Sequence, residues 1–170
     1  MSVDIALCVM INKGMAGVLA ELPESQAHLR DRYLADVLSG QTFGGFCISE
    51  PDVGSNVADI KATGRRDGDH FVINGEKTWI SNGHYSDFLI TTVRTGPKEL
   101  SHFLVDRNDH GYESRNIDKI AMNGQSTAQV FFSNARVPAT NVVWEEGSGL
   151  KNTCVCSKRR APMSACCRWG

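Results

Sequence analysis

Two short segments carry the residues best suited to chemistry. The first is Phe46-Cys47-Ile48-Ser49-Glu50-Pro51-Asp52-Val53-Gly54-Ser55-Asn56. An apolar run delivers the chain to Ser49, and Pro51 and Gly54 then force a turn that presents Ser55. The result is a ledge of backbone groups and hydroxyls at the end of a strand. Such a ledge can face a polar heterocycle, matching O–H and N–H donors to ring carbonyls and nitrogens. The second segment is Asn74-Gly75-Glu76-Lys77-Thr78-Trp79-Ile80-Ser81-Asn82-Gly83. On a strand, Trp79 and Ser81 point to the same face. The indole can pack on a flat ring system while the hydroxyl bonds its edge. Each segment alone has a plainer equivalent: an ordinary strand-to-loop junction, and a core tryptophan beside a strand end.

The elements that must hold these segments follow from periodicity. Residues 2–22 predict a helix, with Ser2 as N-cap and Ile5, Val9, Met15, Val18, Leu19 and Leu22 recurring at roughly helical spacing. Pro23-Glu24-Ser25-Gln26 breaks it and starts a second helix. There Leu29, Tyr33, Leu34, Val37 and Leu38 form the apolar face and Gly40 stands just past the end. Beyond Gly40 the period becomes that of strands. Thr42–Ser49, Ala62–Arg66, His70–Ile73, Glu76–Ser81, Asp87–Arg94, Ser101–Asp106, Tyr112–Asn116 and Gln129–Phe132 read as short strands. Asp67-Gly68 and Asn74-Gly75 both read as hairpin turns. The expected fold class is α+β, mainly β: an antiparallel, barrel-like domain preceded by two helices.

Composition narrows the function. The 170 residues are 41% hydrophobic and 22% charged, with a net charge of −1. That allows a sizeable core and argues against electrostatic binding to nucleic acid or an anionic membrane surface. No run reads as long enough to span a bilayer, since Ile5–Ile11 is interrupted by Asn12 and Lys13. The N-terminus lacks a basic signal-peptide start. The expectation is a soluble, intracellular chain, cytoplasmic or in the mitochondrial matrix of a eukaryote.

Together the two segments resemble the paired signature of acyl-CoA dehydrogenases. That signature is Thr-Glu-Pro, two variable residues and Gly-Ser-Asp, followed by Asn-Gly-x-Lys-x-Trp-Ile-Thr/Ser-Asn-Gly. Here Ser49 replaces the common Thr and keeps the hydroxyl. Ser81 is a common alternative to Thr. Asn56 replaces the usual Asp and loses a charge. Other stretches agree. Gln26–Gly40 resembles the helix ahead of the motif, and Lys119–Ser126 the Lys-Leu-Gly-x-x-x-Ser segment. Asn134, Val137, Pro138 and Asn141 match a further pattern, and Gly147-Ser148-Gly149 matches the opening of a C-terminal helical domain. The match runs from about residue 2 to 150 on this motif comparison.

The resemblance implies three regions: 1–40 as the end of an N-terminal helical domain, 41–146 as the middle β-domain, and 147–170 as an aberrant tail. It implies FAD as cofactor, with Ser49 offering its hydroxyl and backbone to the flavin and Phe46 and Ile48 lining it. Trp79 packs against the flavin, and Ser81 stands near its reactive edge. Gly54 and Ser55 contact acyl-CoA. The family reaction is α,β-dehydrogenation of an acyl-CoA thioester, with an electron-accepting flavoprotein as partner and a homo-oligomeric assembly. In the family the base is a Glu of the C-terminal helical domain, so no catalytic residue is assigned here. Glu50 occupies a position used structurally. The chain alone is expected to bind FAD poorly and to show no substrate-dependent dye reduction. Two other readings stay open: an acyl-CoA oxidase or flavin monooxygenase of the same fold, and a non-catalytic β-domain binding CoA esters or a subunit.

Six cysteines are present. Cys8 and Cys47 lie in apolar runs and read as core. Cys154, Cys156, Cys166 and Cys167 crowd the last stretch, where Pro162 and Lys158-Arg159-Arg160 break the expected amphipathic helix. A frame shift or misjoined exon near Leu150, a genuine disordered tail and a thiolate metal site are the alternatives. The spacing is not that of a usual zinc site, and no metal is assigned.

Overall fold

The computed structural model describes residues 2–152. The expectations for the cysteine-rich tail therefore lie outside the described residues. Helix α1 spans Val3–Ala20 and helix α2 spans Ala27–Ser39, joined through one 3-10 turn at Glu24–Gln26. Ser2 caps α1 by accepting the Asp4 N–H at 3.3 Å, which satisfies one of the first-turn donors. Gly40, at φ 76°, closes α2 by donating to the Asp36 and Val37 carbonyls. Glycine takes this left-handed conformation without a Cβ penalty.

Two expectations for α1 are corrected. Ile5 and Val9 do not join the buried face, each being 56% exposed; the face is Met15, Ala16, Val18 and Leu19. The helix is also long and apolar enough, by length and composition, to cross a membrane, with a mean hydropathy of 1.6 over 18 residues. Asn12 and Lys13 are too few to lower that mean. Asn12 turns inward, donating to the carbonyls of Val37 (3.0 Å) and Thr42 (3.1 Å) and accepting the Gly44 N–H at 3.0 Å. Its amide thus ties α1, the end of α2 and the first strand together.

Eight strands form one sheet: β1 (Gly44–Cys47), β2 (Thr63–Asp67), β3 (His70–Ser81), β4 (Phe88–Gly96), β5 (Glu99–Asp106), β6 (Glu113–Asn116), β7 (Thr127–Pro138) and β8 (Val142–Val143). A short helix α3, Arg107–His110, follows β5. The path is β6-β7-β3-β2-β4-β5-β8, with β1 added on β4. The α+β, mainly β class is as expected, and most pairs are antiparallel. β1–β4 and the single contact β2–β4 are parallel instead.

Asp67-Gly68 opens the β2–β3 hairpin, with Gly68 at φ 63° and Asp67 opposite His70. Asn74-Gly75 is not a turn. β3 runs through it with a register shift against β7, and the Asn74 side chain bonds Asn134 twice, at 2.8 and 3.1 Å. Gly75 stands at φ 142°, where a Cβ would meet the Ala62 Cβ at 2.5 Å. Glycine here permits close approach of the chain entering β2.

The sheet encloses one apolar cluster fed by β1, β3, β4, β5, β7 and β8, including Cys47, Phe71, Ile80, Leu89, Phe103, Val130 and Val142. The alternate residues of β4, Phe88 and Ile90, face a second cluster with Met15, Leu19, Leu29, Tyr33 and Val37 of the helices. β1 lies between the two. A Cβ on Gly44 would stand 2.6 Å from Phe88 Cζ and 2.7 Å from Met15 Cγ, so any larger residue there forces those side chains to shift. This clamps the strand that leads to Ser49.

Candidate functional site

The chain leaves β1 at Cys47, and Glu50 to Val53 close a tight turn through reciprocal backbone bonds of 2.8 and 3.2 Å. The Ser49 carbonyl just before the turn accepts the Thr78 N–H at 2.9 Å. The two motif segments are therefore hydrogen-bonded to each other. Farther back, a Cβ on Gly45 would lie 2.9 Å from the Ser81 carbonyl, so β1 and the end of β3 run in contact.

Between Lys77 and Ile80, β3 carries one residue more than β7 opposite it. That bulge holds Trp79 at φ 60°, a conformation an aromatic residue seldom adopts. Strict alternation is interrupted, and the placement of Trp79 follows from the bulge. Trp79 is 61% exposed, while Thr78 and Ile80 on either side are buried and Ser81 is half-buried. Phe46 packs on the helix-side cluster, near Gly14, and Ile48 against the barrel cluster. Ser49 is half-buried; Gly54 and Ser55, one tight turn further on, are exposed. The structure thus brings Phe46, Ile48, Ser49, Trp79 and Ser81 to one sheet end. The hydroxyls of Ser49, Ser55 and Ser81 make no hydrogen bond among the described residues. Asn56, where the signature has Asp, donates to Asp59 at 2.6 Å.

Beneath the ledge is an ion pair whose sequence positions were visible but whose burial was not. Lys77, fully buried, donates to the Ile48 carbonyl at 2.9 Å and to Glu50 Oε1 at 3.0 Å. Glu50 also accepts the N–H of Lys61 (2.7 Å) and of Ala62 (2.9 Å). Burial alone would push the Glu50 carboxyl up. The two backbone donors and the ammonium outweigh burial and hold the carboxyl below the ordinary value. Burial pulls Lys77 down, opposed by neighbouring Cys47 and Glu50. Burial also pushes the Cys47 thiol up to about 12, so it is no thiolate. Glu50 accepts hydrogen bonds on both oxygens and ties its own turn to Lys61, Ala62 and Lys77.

Arg107 organises the turn after Ser81. It donates to the carbonyls of Ser86, Gly83 and His84 at 2.9, 3.0 and 3.1 Å and lies 4.4 Å over the Tyr112 ring. Nothing in the motif spacing points to it. Among the described residues no cluster of three or more His, Cys, Asp or Glu is placed to hold a metal ion.

Fold and sequence together define a mainly β domain preceded by two helices. The sequence pattern of the acyl-CoA dehydrogenase middle domain matches residues 45–135, and the chain belongs to the acyl-CoA dehydrogenase family. It is 34% identical over 152 residues to glutaryl-CoA dehydrogenase of Desulfococcus multivorans, covering 86% of this chain and 39% of that protein. The structure of a glutaryl-coenzyme A dehydrogenase–glutaryl-CoA complex superposes with a TM-score of 0.80 at 30% identity, over 95% of this chain and 42% of the other. A Mycobacterium smegmatis glutaryl-CoA dehydrogenase in complex with FADH2 gives 0.76 at 26% identity, over 84% and 37%. The chain therefore spans about two-fifths of the length of these relatives.

Proposed function

We propose that this chain supplies the flavin- and acyl-CoA-facing β-domain of an FAD-dependent acyl-CoA dehydrogenase, an enzyme that oxidises the Cα–Cβ bond of an acyl-CoA thioester. The observation that carries the reading is the direct joining of the two motifs, Thr78 N–H to Ser49 carbonyl at 2.9 Å. It sets an exposed indole near hydroxyls that make no hydrogen bond among the described residues. These residues fit a flat, polar-edged ring: Trp79 offers a face, while Ser49 and Ser81 offer donors to the rim.

FAD, when bound, accepts the electrons of the β-hydrogen. The protein's part is placement. Phe46 and Ile48 shape the wall beside the ring, and Gly54 and Ser55 lie exposed where the thioester chain passes. Glu50, 5% exposed and turned toward Lys61, Ala62 and Lys77, is not the base in this reading. In this reading the base comes from none of residues 2–152, and an electron-accepting flavoprotein reoxidises the cofactor in the whole enzyme.

The test is to titrate the full 170-residue chain with FAD, then with a short acyl-CoA, following flavin fluorescence. Saturable FAD binding that acyl-CoA perturbs supports the proposal. Acyl-CoA binding with no FAD binding would replace it with a non-catalytic CoA-ester module.

A further inference from the structure

We propose that Lys77 is the positioning residue of the ledge: its ammonium, on the Ile48 carbonyl and the Glu50 carboxylate, locks the Ser49 strand end to the Trp79 bulge. The inference deepens the flavin reading above and rests on it.

Lysine is rarely fully buried, and an apolar residue of similar volume is often as stable in such a site. Stability alone therefore does not explain a lysine here. Its contacts do. Lys77 Nζ reaches Ile48 O at 2.9 Å and Glu50 Oε1 at 3.0 Å. Glu50 in turn holds the N–H groups of Lys61 and Ala62 at 2.7 and 2.9 Å. The next residue, Thr78, donates to Ser49 O at 2.9 Å. Three chain segments, 48–50, 61–62 and 77–78, are thus knitted at one point directly under the ledge. The register shift that creates the bulge begins at Lys77 and ends at Ile80, which is anchored in the barrel core. Trp79 lies between these anchors at φ 60°. A left-handed aromatic residue persists only where its surroundings over-determine it. Lys77 on one side and Ile80 on the other do so.

The test compares the full chain with Lys77→Met and with the doubly neutral Glu50→Gln/Lys77→Met. Three quantities are read: thermal stability, amide exchange at Thr78 relative to core amides of β4 and β5, and FAD affinity with the shape of the visible flavin band. Lys77→Met leaves Glu50 as a lone buried charge and is destabilised. The double variant carries no lone charge and regains stability. In both variants Thr78 exchange is expected to rise, and FAD affinity to fall, by about 10-fold, the worth of roughly one charge-assisted hydrogen bond. The flavin band should also change shape. Recovery of Thr78 protection and FAD affinity along with stability in the double variant would overturn the proposal, as would unchanged Thr78 exchange in both. If the unaltered chain takes up no FAD, the flavin reading fails, and the lock is judged on Thr78 exchange alone.

Discussion

Replacing Trp79 by glycine separates what this residue does for the fold from what it does for a ligand. Trp79 is 61% exposed, so about two-fifths of its area is removed from water. For a side chain of about 250 Å² that is about 100 Å², worth about 2.5 kcal/mol at ~25 cal/mol/Å². Against this, Trp79 sits at φ 60°. Releasing a non-glycine residue from that conformation returns about 1–2 kcal/mol. The net destabilisation of Trp79→Gly should be about 0.5–1.5 kcal/mol, well under the ~3–5 kcal/mol lost when a core tryptophan is truncated. Urea denaturation followed by far-ultraviolet circular dichroism measures it, and FAD titration of the same sample reports the functional cost. The expected outcome is a small shift in midpoint with a large loss of flavin affinity. A loss of 3 kcal/mol or more, as for a core tryptophan, or unchanged flavin affinity, would refute the reasoning.

Other predictions concern the scaffold. His102 is buried, with Nε2 3.1 Å from the Gly149 carbonyl and Nδ1 2.9 Å from the Thr92 hydroxyl, and burial lowers its pKa from 6.5 to about 4. The unfolded chain takes up a proton below pH 6.5 that the folded one refuses until about pH 4. Stability should fall over that window by about 3 kcal/mol, a slope that flattens in His102→Gln when urea midpoints are measured against pH. Gly44→Ala places a Cβ between Met15 and Phe88 and should cost about 1–3 kcal/mol in the same assay, with recovery in Gly44→Ala/Phe88→Leu. Tyr33→Phe removes the 2.7 Å bond to buried Asp106 and should lower stability by about 1.5–3 kcal/mol, read as a lower midpoint at unchanged m-value.

Local signals hold where local physics decides. Gly40 ends α2 and Asp67-Gly68 turns β2 into β3, because left-handed backbone is written into those residues. Asn74-Gly75 carries the same signal but is overridden by pairing with Asn134, 60 residues on. The parallel docking of β1 on β4 depends on the Gly44 contact with Phe88 and Met15, which no short window contains. At the site, the motifs were visible as residue types. The bulge that exposes Trp79 was not, since period-2 reasoning assumes an unbroken strand. Lys77 illustrates the limit best: a lysine defaults to the surface, and the carboxylate that allows its burial lies 27 residues earlier.

The most direct test of the account is residue-resolved. Amide resonances of the isotope-labelled 170-residue chain are followed as FAD is added. Saturable shifts concentrated at Ile48–Ser49 and Thr78–Ser81, and lost in Trp79→Gly, are the predicted result. Shifts confined instead to the polar cavity lined by Tyr85, Lys119, Gln125 and Thr127, or no shifts at all, would contradict the assignment of the ledge to the flavin.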